Sequence, residues 1–194
     1  MAHPIPASPH YSFGEYLRLE EFSNVKHEFV RGVIYAMAGN SERHSAIERN
    51  LTASLRSQLR GRRCQPYTSN LKVRVEAADL AAYPDALVIC GAIEKVRDAK
   101  PTAVLNPTAL FEILSPDSTE GYDRETKLPA YMQIPSARVV VFVHQNDVCV
   151  EVWQRGTEGE AWTHTVHEGR VAVALAMIDC VLDLSDLYSD LPTE

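Results

Sequence analysis

The 194-residue chain has a formal net charge of −7, with 45% hydrophobic and 23% charged residues. This is the composition of one soluble globular domain, and no apolar run approaches the roughly 20 residues that span a bilayer. Residues 1–10 lack a signal pattern and the four cysteines are widely spaced, so we expect a cytoplasmic protein without structural zinc. Cys90 and Cys149 fall in apolar runs, where a cysteine is usually a small buried hydrophobe.

The first half of the chain predicts a lead-in, two helices and a hairpin. Residues 1–11 hold three prolines and predict a flexible lead-in to a single domain over residues 12–194. Ser12 and Glu15 have the spacing of a capping box at the start of the first helix. The predicted elements are a helix over Phe13–Phe22, a hairpin over His27–Met37 that turns at Arg31-Gly32, and a helix from Ser41 to about Arg60. The longer helix has an apolar stripe formed by Ile47, Leu51, Leu55 and Leu59.

The second half of the chain is dominated by strand patterns. Residues 71–76 alternate between apolar and charged, which predicts a strand with one buried and one exposed face. Further strands are predicted over Leu87–Ile89, Leu110–Leu114, Val139–Val143 and Val148–Trp153, the last two as a hairpin, with edge strands over Trp162–His167 and Val171–Ala174. One helix is expected over about Arg124–Met132, where Pro129 should kink or end it. The pattern predicts a mixed α/β fold, with helices packed on a central mixed sheet and extra strands near the C-terminus.

Two acidic residues occur beside apolar runs that resemble buried strands. Asp85 lies directly before the run Ala86–Cys90, and Glu112 lies inside the run Ala109–Leu114. An isolated buried carboxylate is costly, so such an acid should be paired, protonated or bound to a metal. Two of them on neighbouring strands would form half of a divalent-cation site. A solvent-facing Glu112 on a half-exposed strand is the competing interpretation.

A third candidate group lies on the predicted helix over residues 124–132. Asp123 and Lys127 are four residues apart, so both side chains can share one helix face. Two carboxylates and a lysine around one cation are a common arrangement for the cleavage of phosphodiesters. Lys127 could equally be a surface lysine paired with Asp123, Tyr131 could be core, and Glu28 could be a third acid or an exposed one.

Basic residues are concentrated in one part of this acidic chain. Between residues 43 and 74 there are eight basic residues and one acid, a local charge of +7. This segregation could give a surface that attracts nucleic acid, or the arginines could only solvate a helix face. The nucleic-acid-binding candidates are Arg56, Arg60, Arg62, Arg63, Lys72 and Arg74.

Other common chemistries have no support in the sequence. His144, His164 and His167 have no Cys or His partner at the spacing of metal ligands. The segment Ser115-Pro116-Asp117-Ser118 lacks the Gly-x-Ser-x-Gly pattern of a nucleophile elbow. Gly39 and Gly61 are isolated, so no glycine-rich loop could hold phosphates, and a nucleotide cofactor is not expected.

The order of these motifs resembles the PD-(D/E)XK nuclease superfamily, and within it the Uma-type restriction endonuclease family. The resemblance covers about residues 12–155. The motifs that carry it are Glu28-Phe29-Val30-Arg31-Gly32-Val33-Ile34-Tyr35, Tyr83-Pro84-Asp85, Phe111-Glu112-Ile113-Leu114-Ser115-Pro116, Tyr122-Asp123-Arg124-Glu125-Thr126-Lys127 and Ala130-Tyr131-Met132-Gln133-Ile134-Pro135-Ser136. The superfamily has a lysine two residues after the second acid, where this chain has Leu114. The resemblance therefore implies that Lys127 replaces it from the following helix.

The resemblance implies a restriction endonuclease-like fold and a metal-dependent phosphodiesterase. Asp85, Glu112 and the carbonyl of Ile113 would bind Mg²⁺ or Mn²⁺, with Glu28 as an outer ligand. Lys127 would stabilise developing charge or help to deprotonate the attacking water. Asp123 and Tyr131 would be orienting residues.

Two functions follow from this sequence, and a third remains open. The first is a metal-dependent endonuclease that acts on DNA, with a homodimer as one way to cut both strands. The second is a protein that binds nucleic acid or another partner on a nuclease-derived fold without turnover. The third is a structural protein whose acids all face solvent.

Overall fold

The computed structural model describes residues 10–115, 119–156 and 161–192, which form thirteen strands and five α-helices. The strands are β1 (His27–Val30), β2 (Val33–Ala36), β3 (Cys64–Thr68), β4 (Lys72–Val75), β5 (Leu80–Ala82), β6 (Ala86–Cys90), β7 (Ala103–Val104), β8 (Ala109–Leu114), β9 (Val139–His144), β10 (Cys149–Arg155), β11 (Trp162–Glu168), β12 (Ala172–Leu175) and β13 (Cys180–Asp183). The helices are α1 (Phe13–Phe22), α2 (Glu42–Leu59), α3 (Glu120–Tyr122), α4 (Leu128–Tyr131) and α5 (Leu184–Leu187).

The strands form two large sheets and a separate β12-β13 pair. The six-stranded sheet has the order β11-β10-β9-β8-β6-β3 and is antiparallel except for β8 with β9. The five-stranded sheet has the order β2-β1-β5-β4-β7. The chain passes between the two sheets several times, and Asp85 lies at the junction between β5 of the small sheet and β6 of the large one. The mixed α/β class predicted from the sequence is confirmed.

The first two helices and the hairpin form where the sequence predicts them. Ser12 caps α1 with both hydrogen bonds of the capping box, and Ser41 caps α2. The hairpin turns at Arg31-Gly32, where both residues have positive φ, as a two-residue turn of this type requires. The side chains at the apolar stripe of α2 are fully buried against the six-stranded sheet, namely Ile47, Leu51, Leu55 and Leu59.

The prediction that residues 71–76 have an exposed face is wrong for Lys72 and Arg74, although Glu76, just beyond β4, is exposed. All four residues of β4 are buried because β4 lies inside the five-stranded sheet, between β5 and β7. Lys72 has no exposed surface and lies 3.6 Å from Glu20, while Arg74 is 9% exposed and pairs with Asp79 at 2.6 Å. Neither residue is available to bind nucleic acid, so these two candidates are withdrawn.

The helix before β9 contains a widened turn. Residues 123–127 form a π-helical segment between α3 and α4, so the helix begins at Glu120 rather than near Arg124. Pro129 lies in the first turn of α4, where the missing backbone N–H is tolerated. Single π-helical turns inside α-helices occur frequently at functional sites.

Two of the four cysteines form a disulfide that the sequence analysis did not predict. Cys64 and Cys90 are opposite each other in the β3-β6 pair and form a disulfide. The interpretation of Cys90 as a simple buried hydrophobe is wrong, because the strand register brings together residues separated by 26 positions. Cys149 and Cys180 are buried thiols.

Some predicted features fall outside the described residues. These include residues 1–9 of the proposed lead-in and residues 116–118 after β8. No helix in the described parts of the chain is long and apolar enough to cross a membrane.

Candidate active site

The candidate site is a cleft of about 620 Å³ where the two large sheets meet. The hairpin β1-β2, the start of α2, the end of β8 and the helix after it all contribute to its walls. The polar residues at its base are Glu28, His44, Asp85, Glu112, Asp123 and Lys127. Lys127 is the only lysine or arginine among the described residues that line the cleft.

Lys127 lies at the centre of three carboxylates. Its Nζ atom is 3.0 Å from Asp123, 3.3 Å from Glu112 and 3.3 Å from Glu28. Lys127 is 6% exposed, so the interpretation of this residue as a surface lysine is wrong. Burial acts to lower the pKa of Lys127, but the carboxylates of Glu112, Glu28 and Asp123 outweigh it and raise the pKa well above its ordinary value.

Glu112 is buried on the face of β8 that packs against the helix over residues 120–131. It is 2% exposed, which rules out the solvent-facing interpretation. Its Oε1 accepts a 2.6 Å hydrogen bond from the Tyr131 hydroxyl, and its Oε2 accepts one from Lys127. Burial raises the pKa of Glu112 well above its usual range, and the nearby Asp123 adds to this although Lys127 opposes it. Leu114 occupies the position at which the superfamily has a lysine, and its side chain is buried in the core.

Asp85 is held by a backbone group and by a histidine. Its Oδ2 accepts a 2.7 Å hydrogen bond from the N–H of Ile113 and lies 3.2 Å from Nε2 of His44. The N–H and C=O groups of a strand residue point to the same side, so the Ile113 carbonyl faces the same edge of β8 as Asp85. Asp85 and Ile113 are thus adjacent at the base of the cleft.

Glu28 enters the site from the neighbouring sheet. It is 5% exposed, and its Oε1 accepts a 3.0 Å hydrogen bond from the N–H of Tyr83 as well as contacting Lys127. Tyr83 immediately precedes Pro84-Asp85, and its hydroxyl donates to Glu20 at 2.7 Å. One short segment therefore supports Glu28 and carries Asp85.

His44 is a site residue that the sequence did not identify. It lies in the first turn of α2, is 3% exposed and faces Asp85. Burial disfavours the charged imidazole, but the hydrogen bond and charge of Asp85 raise the pKa of His44 overall. One signal in the sequence could have identified His44. It lies four residues before Glu48, on the side of α2 that also carries the buried residues Leu51 and Leu55.

The remaining basic candidates lie away from the cleft. Arg56, Arg60, Arg62 and Arg63 are exposed at the C-terminal end of α2 and just beyond it. At 1.5 Å per residue, Arg60 is about 24 Å along the helix axis from His44. Arg62 also pairs with Asp179. The arginines can contact only a segment of nucleic acid that extends well beyond the cleft.

An excess of buried negative charge distinguishes this cluster. Four buried acidic side chains, Glu28, Asp85, Glu112 and Asp123, line the base of the cleft with the single ammonium of Lys127, which contacts all of them except Asp85. Buried charges are normally paired or coordinate a metal ion, and hard divalent cations bind carboxylate and carbonyl oxygens. The donor set of Asp85, Glu112 and the Ile113 carbonyl therefore fits Mg²⁺ or Mn²⁺.

Comparison with known proteins gives matches along most of the chain. The family described as "Uma2: Putative restriction endonuclease" matches residues 13–184. The uncharacterized protein slr1290 of Synechocystis sp. is 34% identical over 158 residues, which are 81% of this chain and 80% of that protein. The uncharacterized protein sll1609 of the same organism is 31% identical over 141 residues, which are 73% of this chain and 78% of that protein.

A solved structure has the same fold. It is the crystal structure of "a putative nuclease belonging to DUF820" from Anabaena variabilis, with a TM-score of 0.71 and 18% sequence identity. The match covers 91% of this chain and 96% of that chain. At this level of identity, the match shows a common fold.

Proposed function

Because the chain belongs to the family described as "Uma2: Putative restriction endonuclease", we propose that it is a Mg²⁺- or Mn²⁺-dependent endonuclease that hydrolyses DNA phosphodiester bonds. One observation carries the proposal. Four buried acidic side chains share the base of an open cleft with a single lysine, and a divalent cation would compensate their excess negative charge.

Asp85 and Glu112 would hold the cation through carboxylate oxygens, and the Ile113 carbonyl would add a ligand. A cation bound there would polarise a phosphoryl oxygen and lower the pKa of a bound water. Glu28 contacts Lys127 and accepts a hydrogen bond from the Tyr83 N–H, so it would act as an outer ligand of the cation or as a partner of Lys127.

Lys127 would stabilise the negative charge that develops on the phosphorus during attack. Asp123 and Glu28 hold the ammonium near Glu112 and keep it protonated, which suits electrostatic stabilisation better than proton abstraction. Tyr131 would orient Glu112 through its 2.6 Å hydrogen bond, and His44 would orient Asp85.

The substrate would be bound mainly through its backbone. Arg56, Arg60, Arg62 and Arg63 would contact a flanking segment of a duplex, which predicts binding that weakens as salt increases. Tyr35 is 51% exposed at the edge of the cleft and packs against Tyr122, so it could stack on a base. Double-strand cleavage would be assisted by a homodimer.

Nicking of supercoiled plasmid tests the proposed activity. We expect nicking by the wild type with Mn²⁺ or Mg²⁺, none with a chelator, and losses of about 100-fold or more in Glu112→Gln and Lys127→Met. Glu125→Gln is the matched control, because Glu125 is exposed on the same helical segment. Nicking that is equal in Glu112→Gln and Glu125→Gln would refute the proposal.

The second candidate function is a nucleic-acid- or partner-binding protein without turnover. Two observations favour a protein without turnover over an active enzyme. Leu114 stands where the superfamily has its strand lysine, and the described lining of the cleft contains one lysine or arginine, Lys127. Binding of Mn²⁺ and of DNA without cleavage of duplex, branched or single-stranded substrates would support this alternative.

A further inference from the structure

We propose a second metal seat, formed by His44, Glu48 and Asp85, that takes a divalent transition-metal ion such as Mn²⁺ or Zn²⁺. It rests on the proposed function only in sharing Asp85 with the first seat. The two seats share that carboxylate, one formed with Glu112 on β8 and the other with two residues of α2. The following paragraphs call the second one the helix seat.

The donor atoms of the helix seat are already close together. One ligand atom from each of His44, Glu48 and Asp85 lies within 4.8 Å of the others, and His44 Nε2 is 3.2 Å from Asp85 Oδ2. Two ligands of one ion at about 2.1 Å are at most about 4.2 Å apart, so a small side-chain rotation completes the site. The two α2 residues are four positions apart, which places both side chains on one face of the helix.

The side chains of the helix seat present donor atoms to one another. His44 is 3% exposed and faces Asp85 through Nε2, which a neutral imidazole can offer to a cation. Glu48 accepts a 2.8 Å hydrogen bond from the Ser69 hydroxyl at Oε1, which orients the carboxylate and leaves its other oxygen for a cation. Such outer contacts commonly fix the ligands of metal sites.

The charge of the group is compatible with two ions. Besides Asp85, the carboxylates of Glu28, Glu48, Glu112 and Asp123 lie near Asp85 or Lys127, and one ammonium opposes them. With every acid ionised and His44 neutral, the formal charge is −4, which two divalent cations would balance.

The imidazole of His44 determines which metal ions the helix seat prefers. Imidazole nitrogen suits Mn²⁺ and Zn²⁺ better than Mg²⁺, which prefers a shell of oxygens. The seat formed by Asp85, Glu112 and the Ile113 carbonyl contains only oxygen donors. The two seats should therefore differ in metal preference, with Mg²⁺ confined to the all-oxygen seat.

The competing arrangement is an imidazolium of His44 that is ion-paired with Asp85 and Glu48. In that case the three side chains would satisfy one another, and no ion would be needed. Counting bound ions separates the two arrangements, because the ion pair predicts one Mn²⁺ per chain and the helix seat predicts two.

The test is a Mn²⁺ titration of the full chain, followed by the electron paramagnetic resonance signal of free Mn²⁺. We expect two ions per chain in the wild type and one in Glu48→Gln, which keeps an oxygen for the Ser69 hydroxyl. His44→Ala should also bind one ion, provided that its circular dichroism spectrum is unchanged. The matched control is Glu42→Gln, since Glu42 is exposed on the same helix and should leave two ions bound.

The outcomes separate this inference from the proposed function. One ion in both the wild type and Glu48→Gln would overturn the helix seat and leave the seat at Glu112 intact. Two ions in Glu112→Gln would refute the seat at Glu112 and leave the helix seat standing. One ion in Glu112→Gln that disappears in the double variant Glu48→Gln/Glu112→Gln would support both seats.

Discussion

Lys72→Met removes a buried ammonium that makes the stability of this fold depend on pH. The Lys72 side chain has no exposed surface, lies 3.6 Å from Glu20 and is 4.4 Å from the centre of the Tyr16 ring. Its Nζ atom has no hydrogen-bond partner among the described residues. Burial lowers the pKa of Lys72 to about 8, although the charge of Glu20 opposes this.

The size of the effect follows from this pKa. An unfolded lysine keeps its proton up to a pKa of 10.5, whereas folded Lys72 loses it near 8. Between these values the unfolded state binds more protons, so the free energy of unfolding rises with pH. At 1.36 kcal/mol per pKa unit, the buried charge costs about 3 kcal/mol at pH 7, and about 2 kcal/mol of this is recovered by pH 9.5.

Urea unfolding of the wild type and Lys72→Met at pH 7, 8, 9 and 9.5 measures this difference. We expect the wild type to gain about 2 kcal/mol relative to the variant across that range. Tyr16 and Tyr83, whose pKa values are raised by burial, stay protonated in both folded proteins. A difference that is constant with pH would refute the reasoning. Because Lys72 is buried, the salt dependence of DNA binding should be the same in both proteins.

Three further predictions concern the site and its support. Mn²⁺ at 100 times its Kd should raise the Tm of the wild type by about 5–10 °C in a thermal scan, but that of Glu112→Gln by much less; equal shifts would count against Glu112 as a ligand. Tyr131→Phe should lower the nicking rate about tenfold, which is a rise of about 1.4 kcal/mol in the activation free energy, because the hydrogen bond from the Tyr131 hydroxyl to Glu112 is lost. An unchanged rate would contradict the proposal that Tyr131 orients Glu112. Burial opposes ionisation of Glu151, yet hydrogen bonds from Arg124 and His144 lower the pKa of Glu151 to about 2. The ionised carboxylate therefore stabilises the folded state above pH 4.5, and this stabilisation is lost as the pH falls towards 2. In urea unfolding, Glu151→Gln should be about 1–2 kcal/mol less stable than the wild type at pH 7 and nearly as stable as the wild type at pH 2.5. A difference in stability that does not change with pH would contradict this role of Glu151.

The helices and the hairpin could be predicted because their signals are local. Ser12 and Glu15 are three residues apart, and Arg31-Gly32 makes the turn between two short strands. The stripe of α2 has a regular helical period. Each of these patterns is determined by neighbours within a few residues, so the sequence alone is sufficient.

The features that the sequence missed depend on distant partners. The charged residues of β4 suggested an exposed face, but Lys72 is paired with Glu20, which lies 52 positions earlier in the chain. Cys64 and Cys90 meet only through the register of β3 and β6. His44 becomes a site residue because α2 packs beside the junction that carries Asp85. Such long-range contacts have no signature in local periodicity.

The structure places the predicted acids and Lys127 together, but metal binding and turnover are proposals that rest on their geometry. The most direct measurement is anomalous diffraction from a crystal soaked in Mn²⁺. The account predicts a peak within about 2.5 Å of oxygen atoms from both Asp85 and Glu112. The absence of a peak that touches both carboxylates, at a Mn²⁺ concentration that saturates binding in solution, would contradict it.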